Sequence, residues 1–139
     1  MKKRNFSLLL GVLLSAISFS SCYDDYEKIS SASLIGSWQS EFWTGYEKYG
    51  EYFMEWENEK DTSSKFTFNE DGTFILDEGE DGKDYGQWTY KEDTLYIEFS
   101  DGELERCTIK KLTDKKLILE FHEIDGDYEY FDSLTLRKL

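Results

Sequence analysis

The sequence predicts an all-β domain, an antiparallel up-and-down β-barrel of eight or nine short strands. Three observations lead there. Turn-forming pairs recur about every ten to twelve residues: Asp71-Gly72, Asp81-Gly82, Glu92-Asp93, Asp101-Gly102, Asp114-Lys115 and Asp125-Gly126. Asp-Gly between apolar runs marks a hairpin, because such turns need positive φ and glycine adopts it without steric penalty. Between the turns apolar and polar residues alternate, the period of a strand with one buried face. A meander of this length leaves two open edges, and closing it removes both. A flattened two-sheet sandwich fits the same strand count.

Taken in order, Trp38, Ser40 and Phe42 share one parity, and Tyr52, Met54 and Trp56 mark a second strand. The interval from Trp43 to Glu51 shows no clear period. Then Phe66 pairs with Phe68, Phe74 with Leu76, and Trp88 with Tyr90. Leu95, Ile97 and Phe99 follow, then Leu117, Leu119 and Phe121, and last Tyr128, Tyr130, Leu134 and Leu136. No segment carries a helical period.

The chain before this region has a different character. Lys2, Lys3 and Arg4 precede an apolar stretch from Phe6 to Phe19, and Ser20-Ser21-Cys22 supplies small residues. The stretch is shorter than the roughly 20 residues that span a bilayer. Its order of charge, apolar core and small residues is that of a secretory signal. Phe19-Ser20-Ser21-Cys22 resembles a bacterial lipobox, with Phe19 where leucine is usual. That resemblance implies that Cys22 becomes the mature N-terminus, carrying diacylglyceryl (palmitate-type) and N-acyl chains. Two or more chains anchor a protein stably without a spanning helix. The expected organisation is a lipoprotein signal peptide over 1–21, a lipidated tether over 22–33 and the barrel over 34–139. Fully extended, the polar tether reaches roughly 40 Å. The acids in Tyr23-Asp24-Asp25-Tyr26-Glu27 are similar to the export signal of surface lipoproteins in one Gram-negative phylum. They equally suit a solvated tether. The implied address is the outer membrane of the cell envelope, surface-exposed or periplasmic-facing.

Charge narrows the function. The chain carries a formal charge of −14, and losing Lys2, Lys3 and Arg4 with the signal makes it −17. Phosphate neutralisation needs a basic face, so nucleic-acid binding is excluded. A polybasic membrane-surface role is excluded as well. At 17% aromatic residues the chain is no disordered acidic tail. There are two cysteines; with Cys22 lipidated, Cys107 stands alone, and the domain does not rely on disulfides. Cys107 lies in an alternating segment and reads as a small core residue.

The sequence offers little for catalysis. His122 is the single histidine, on the face opposite Phe121, and no nucleophile elbow accompanies it. One histidine and one available cysteine make a poor zinc site. The acidic run from Asp77 to Asp84 fails the EF-hand template at Gly79 and Trp88, and reads as a solvated hairpin tip. With 30 acids, pairs of carboxylates have no specificity as a glycosidase signal. No metal, no cofactor and no enzymatic activity are expected.

Gly36-Ser37-Trp38 looks like the Gly-X-Trp motif that opens lipocalins. Phe68-Asn69-Glu70-Asp71-Gly72-Thr73-Phe74, then Gly86-Gln87-Trp88, then Leu112 to Leu119 are similar to small bacterial lipocalin-like lipoprotein domains. The resemblance covers 34–139 and implies a lipocalin-like barrel. It also implies that a basic residue of the last strand packs on the opening tryptophan, and Arg137 matches in type and position. The second lipocalin motif, a Thr-Asp-Tyr turn, and a C-terminal helix are absent from the sequence. A barrel of eight strands has room for its own side chains or one small ligand.

These readings give a membrane-anchored monomer that binds a small apolar or amphiphilic molecule without catalysis. Its expected lining or mouth comprises Trp38, Phe42, Trp43, Tyr52, Met54, Trp56, Phe66, Phe68, Trp88, Ile97 and Phe99, with Cys22 as lipid attachment. The alternative is a filled barrel contacting an envelope protein or glycan through an acidic, aromatic surface.

Overall fold

A computed structural model describes residues 34–139; the expected signal peptide, Cys22 and the tether lie outside the described residues. Nine strands follow one another: β1 (Gly36–Tyr49), β2 (Tyr52–Lys60), β3 (Lys65–Phe68), β4 (Thr73–Asp77), β5 (Lys83–Lys91), β6 (Thr94–Phe99), β7 (Leu104–Leu112), β8 (Lys116–Asp125) and β9 (Tyr128–Lys138). Each of the six expected turn pairs falls in a connection from β3–β4 through β8–β9 or at its edge. At the first of them, the Asp71 carboxylate accepts from the backbone N–H and hydroxyl of Thr73, at 3.0 and 2.6 Å. These bonds hold its carboxyl below the usual carboxylate range.

From β3 to β9 every strand pairs antiparallel with the next in sequence, and β9 closes onto β1. The result is a closed antiparallel barrel of eight strands with one extra strand. Simple neighbour-to-neighbour pairing breaks at one place. On the edge that does not meet β9, β1 pairs with β3 through 36–39 and with β2 through 42–49. Thus β2 and β3 succeed one another along one edge of β1 instead of pairing. The interval from Trp43 onward, which lacks a clear period, is the second half of the long β1.

A bulge between Ser40 and Phe42 explains that lost period. Ser40 lies opposite Leu136 on the inner face, but after the extra residue Trp43, not Phe42, lies opposite Leu134. Phe42 pairs with Thr135 on the outer face, so its expected place in the lining is corrected. One inserted residue reverses every side chain beyond it.

The barrel has two unlike ends. The end where β1 begins is filled. Leu34, Trp38, Phe68, Phe74, Leu95, Ile109, Leu117, Leu119 and Leu136 are all fully buried. The Trp38 indole N–H donates to the Leu34 carbonyl at 2.9 Å, so the segment entering β1 caps this end. The basic residue over Trp38 is Lys138, not Arg137: its ammonium stands 4.4 Å from the ring centroid and donates to the Ile35 carbonyl at 2.7 Å. Parity explains the correction. Leu134 and Leu136 point inward, so Lys138 does too, and the register sets it opposite Trp38. Arg137 faces outward, 3.6 Å from Glu41. Gly36 belongs to the same arrangement. Its φ is +126°, and a Cβ there would meet the Lys138 Cε at 2.8 Å. The Gly-X-Trp motif therefore clears a path for the lysine stem.

Candidate functional site

The other end of the barrel is where the wall opens. The hairpin of β7 and β8 pairs from Leu112↔Leu117 to Thr108↔Glu120 and then separates. Beyond that point residues 104–107 pair with β6 alone and residues 121–125 with β9 alone. Between the separated strands lies a cleft of about 510 Å³, lined by Tyr96, Leu104, Glu105, Arg106, Phe121, His122, Glu123, Tyr130 and Asp132. That volume falls in the range of small-molecule sites.

Register sorts the lining into an inside and an outside. Glu105 lies opposite Ile97, and Phe121 opposite Asp132, so both share the face of the core. Glu123 lies opposite Tyr130 on that face. The inner part thus presents three carboxylates, two aromatic rings and no base. Tyr96, Arg106 and His122 belong to the outer face and form the rim. A second, outer hollow of about 340 Å³ continues over Thr94, Tyr96, Arg106, His122 and Phe131.

Asp132 is the centre of the inner site. It is only 5% exposed. Its two oxygens accept from the Trp56 indole N–H at 3.2 Å and the Tyr130 hydroxyl at 3.0 Å. Burial pushes its carboxyl above the usual range, and the two side-chain hydrogen bonds pull it partly back. Tyr130 is pushed up by burial and by the Asp132 charge. Glu105 is pushed up by burial, then by Glu103 and Glu123. These groups favour a proton or another donor at the cleft.

Gly45 makes this cluster. It lies opposite Asp132 on β9 and opposite Trp56 on β2, so the three are neighbours across the sheet. A Cβ at Gly45 would collide with the Phe131 carbonyl and stand 2.8 Å from Asp132 Oδ1. Without it, the Trp56 side chain crosses β1 and reaches the carboxylate. Trp43 and Tyr130 flank that indole, with ring centroids at 5.8 and 6.1 Å.

The residues expected to line the barrel separate accordingly. Trp38, Phe66, Phe68, Trp88 and Ile97 are buried in the packed part, and Phe99 packs against it. Trp43 and Trp56 gather beside the cleft. Tyr52 and Met54 are about half exposed on β2, outside the barrel wall. Cys22 lies outside the described residues. Sequence reasoning passed over Glu105, Phe121, Glu123, Tyr130 and Asp132 as site residues. Strand parity carries the signal for them: Glu105 shares parity with Cys107 and Ile109, and Asp132 sits between Tyr130 and Leu134.

His122 does not enter the inner site. Its Nε2 lies 3.0 Å from the Glu129 carboxylate, which also accepts from the Tyr46 hydroxyl at 2.7 Å. Those hydrogen bonds hold the Glu129 carboxyl below its usual range. Cys107 is buried, and burial with the nearby Glu105 charge pushes its thiol up to about 12. Among the described residues no group of three or more metal-ligating side chains converges, and no helix is long and apolar enough to cross a membrane.

A closed eight-stranded antiparallel barrel, capped at one end and entered at the other, is a binding-type scaffold of the calyx class. The lipocalin-like domain family matches residues 34–119, more than half of the chain, and the chain belongs to that family. Among solved structures the chain is similar to an uncharacterized protein from Bacteroides eggerthii. That similarity is 18% identity over 76% of this chain and 99% of the other, with a TM-score of 0.48. No curated protein matches the chain.

Proposed function

We propose that this protein is a non-catalytic binding lipoprotein that takes a small amphiphile into the cleft between β7 and β8. The observation that carries the reading is the separation of those strands over an inner face of carboxylates and aromatic rings. The packed half of the barrel leaves the cleft as the place for a ligand, with Phe121, Tyr130 and the Trp43–Trp56 pair against its apolar part. The inner carboxylates accept hydrogen bonds and carry negative charge, so the polar end of the ligand is a donor, an amine or a polyol. An anionic head meets Asp132, Glu105 and Glu123 and is rejected. The expected Cys22 anchor supplies the membrane attachment at the outer membrane, on either face.

The test is a tryptophan-fluorescence titration with three probes of one chain length, each below its micelle concentration: dodecylammonium, dodecyl glucoside and dodecyl sulfate. The first two are expected to bind and to shift Trp43 and Trp56 emission, and Asp132→Asn with Glu105→Gln weakens dodecylammonium about tenfold or more. Equal binding of the sulfate refutes the acidic-cleft reading. Mass spectrometry of an organic extract of the chain purified from native cells then identifies the natural ligand class.

The filled core of Trp38, Phe68, Phe74 and Leu119 supports a second reading, a surface that contacts an envelope protein or glycan. If none of the three probes binds, that reading stands in place of the first.

A further inference from the structure

Among the described residues β2 pairs with β1 alone, from Tyr49↔Tyr52 to Phe42↔Lys60. Its second edge meets no strand among the described residues, and eight of its nine residues are exposed, Trp56 being half-buried. A free edge presents unpaired N–H and C=O groups, and natural proteins usually blunt it with lysine, proline or a bulge. Here the run from Tyr52 to Glu57 has neither lysine nor proline. A bulge comes only at Glu57–Asn58, where Asn58 takes φ +52° and donates its N–H to Thr44 Oγ1 at 2.9 Å. Tyr52, Phe53 and Met54 are exposed to about half of their surface, which is unusual for three consecutive apolar residues.

The charge on this edge decides what it accepts. Glu55 and Glu57 share one face of the strand, Glu59 lies on the other face beyond the extra residue at 57–58, and the first base is Lys60 at the strand's end. A second copy of β2 laid antiparallel brings acid against acid, and like charges across a strand pair are destabilising. The edge is therefore guarded against its own copies and complementary to a basic strand. From the free β2 edge and the Glu55–Glu57 face beside it, we infer that β2 receives an extended basic segment of another protein as an added strand. Its lysines or arginines pair with Glu55 and Glu57, and its apolar residues cover Tyr52 and Met54 on the opposite face. Main-chain bonds supply affinity and the alternating side chains supply selectivity, as in other strand additions. The inference concerns an edge outside the cleft and stands whether or not the cleft holds an amphiphile.

Hydrogen–deuterium exchange on the full chain tests it. The probes are end-blocked nine-residue peptides: alternating Lys-Val, alternating Glu-Val, and Lys-Val with alternate amides N-methylated. The Lys-Val peptide is expected to slow exchange within 52–57 by about tenfold or more, and the other two peptides leave it unchanged. Replacing Glu55 and Glu57 with lysine is expected to reverse the choice between Lys-Val and Glu-Val. Glu57→Lys alone weakens Lys-Val severalfold and serves if the double variant does not fold. Protection by the N-methylated peptide as strong as by its parent shows charge adsorption without strand pairing and overturns the inference. So does protection at 104–107 and 121–125 in place of β2, or no protection at all.

Discussion

Lys138 should be the basic residue of the last strand that stabilises this barrel, and Arg137 should not. The ammonium lies over the Trp38 ring at 4.4 Å and donates to the Ile35 carbonyl at 2.7 Å. A cation–π contact contributes about 0.5–2 kcal/mol, and a hydrogen bond from a charged donor about 1.5–3 kcal/mol. Desolvation opposes both, since burial lowers the Lys138 pKa below the ordinary lysine value. The net loss in Lys138→Met, which keeps the apolar stem, is therefore about 1–3 kcal/mol. For a domain of this size that lowers Tm by roughly 5–15 °C. Arg137 is exposed and lies 3.6 Å from a partly exposed Glu41, so Arg137→Met costs under about 0.5 kcal/mol. Urea unfolding followed by far-UV circular dichroism measures both, and a cycle with Trp38→Leu isolates the ring contact. A coupling of about 0.5–1.5 kcal/mol between positions 38 and 138 is expected. If Arg137→Met costs as much as Lys138→Met, or the coupling vanishes, the assignment of the cation to Lys138 is wrong.

Other outcomes follow from the cleft and the core. Gly45→Ala places a methyl group against the Phe131 carbonyl and Asp132, so β1 and β9 must part; a loss of about 1–3 kcal/mol in urea unfolding is expected, with quenching of the Trp56 environment. The Asp132 carboxyl is raised in the folded protein, so the folded state holds that proton more firmly than the unfolded one. Its contribution is fully present below the unfolded carboxyl pKa and is lost as pH rises to the raised folded value. Asp132→Asn should remove that decline from a plot of Tm against pH. Glu129 has the opposite sign: its lowered carboxyl contributes stability above the ordinary carboxylate pKa that is lost as pH falls through the folded value, and Glu129→Gln should flatten that acid limb. Cys107, buried with its thiol raised to about 12, should resist iodoacetamide at pH 8 in the folded protein and react once urea unfolds it, as read by mass spectrometry.

Much of this barrel was legible in the chain because its information is local. Six turn pairs mark six connections, and the two-residue period assigns inside and outside from Phe66 to Leu136 except at the β7 bulge after Ile109, beyond which Leu112 and not Lys111 lies opposite Leu117. What the sequence hid lies where that period is interrupted or where pairing is not local. The bulge after Ser40 moves Phe42 outward and Trp43 inward, and nothing in Ser40-Glu41-Phe42 announces an unpaired residue. Strand β2 has the alternation of a wall strand, yet it continues along an edge of β1 past the barrel, which leaves Tyr52 and Met54 exposed. Choosing Arg137 over Lys138 followed residue type at the end of the chain where parity from Leu134 and Leu136 decides the face.

The cleft follows from the same physics that packs the closed end. At that end the inward positions of β7 and β8 are Cys107, Ile109, Leu117 and Leu119, which gain by burial and hold the strands together. Farther along, the same parity brings Glu105 and Glu123 inward. Two carboxylates facing each other in a narrowing space repel and resist desolvation, as the raised Glu105 carboxyl records. Continued pairing of β7 with β8 would bury both acids unpaired, whereas separation keeps them hydrated. On the proposed reading the acids that make this wall costly to close also select the ligand, and neutralising Glu105 and Glu123 together should draw the strands toward one another and weaken binding of dodecylammonium.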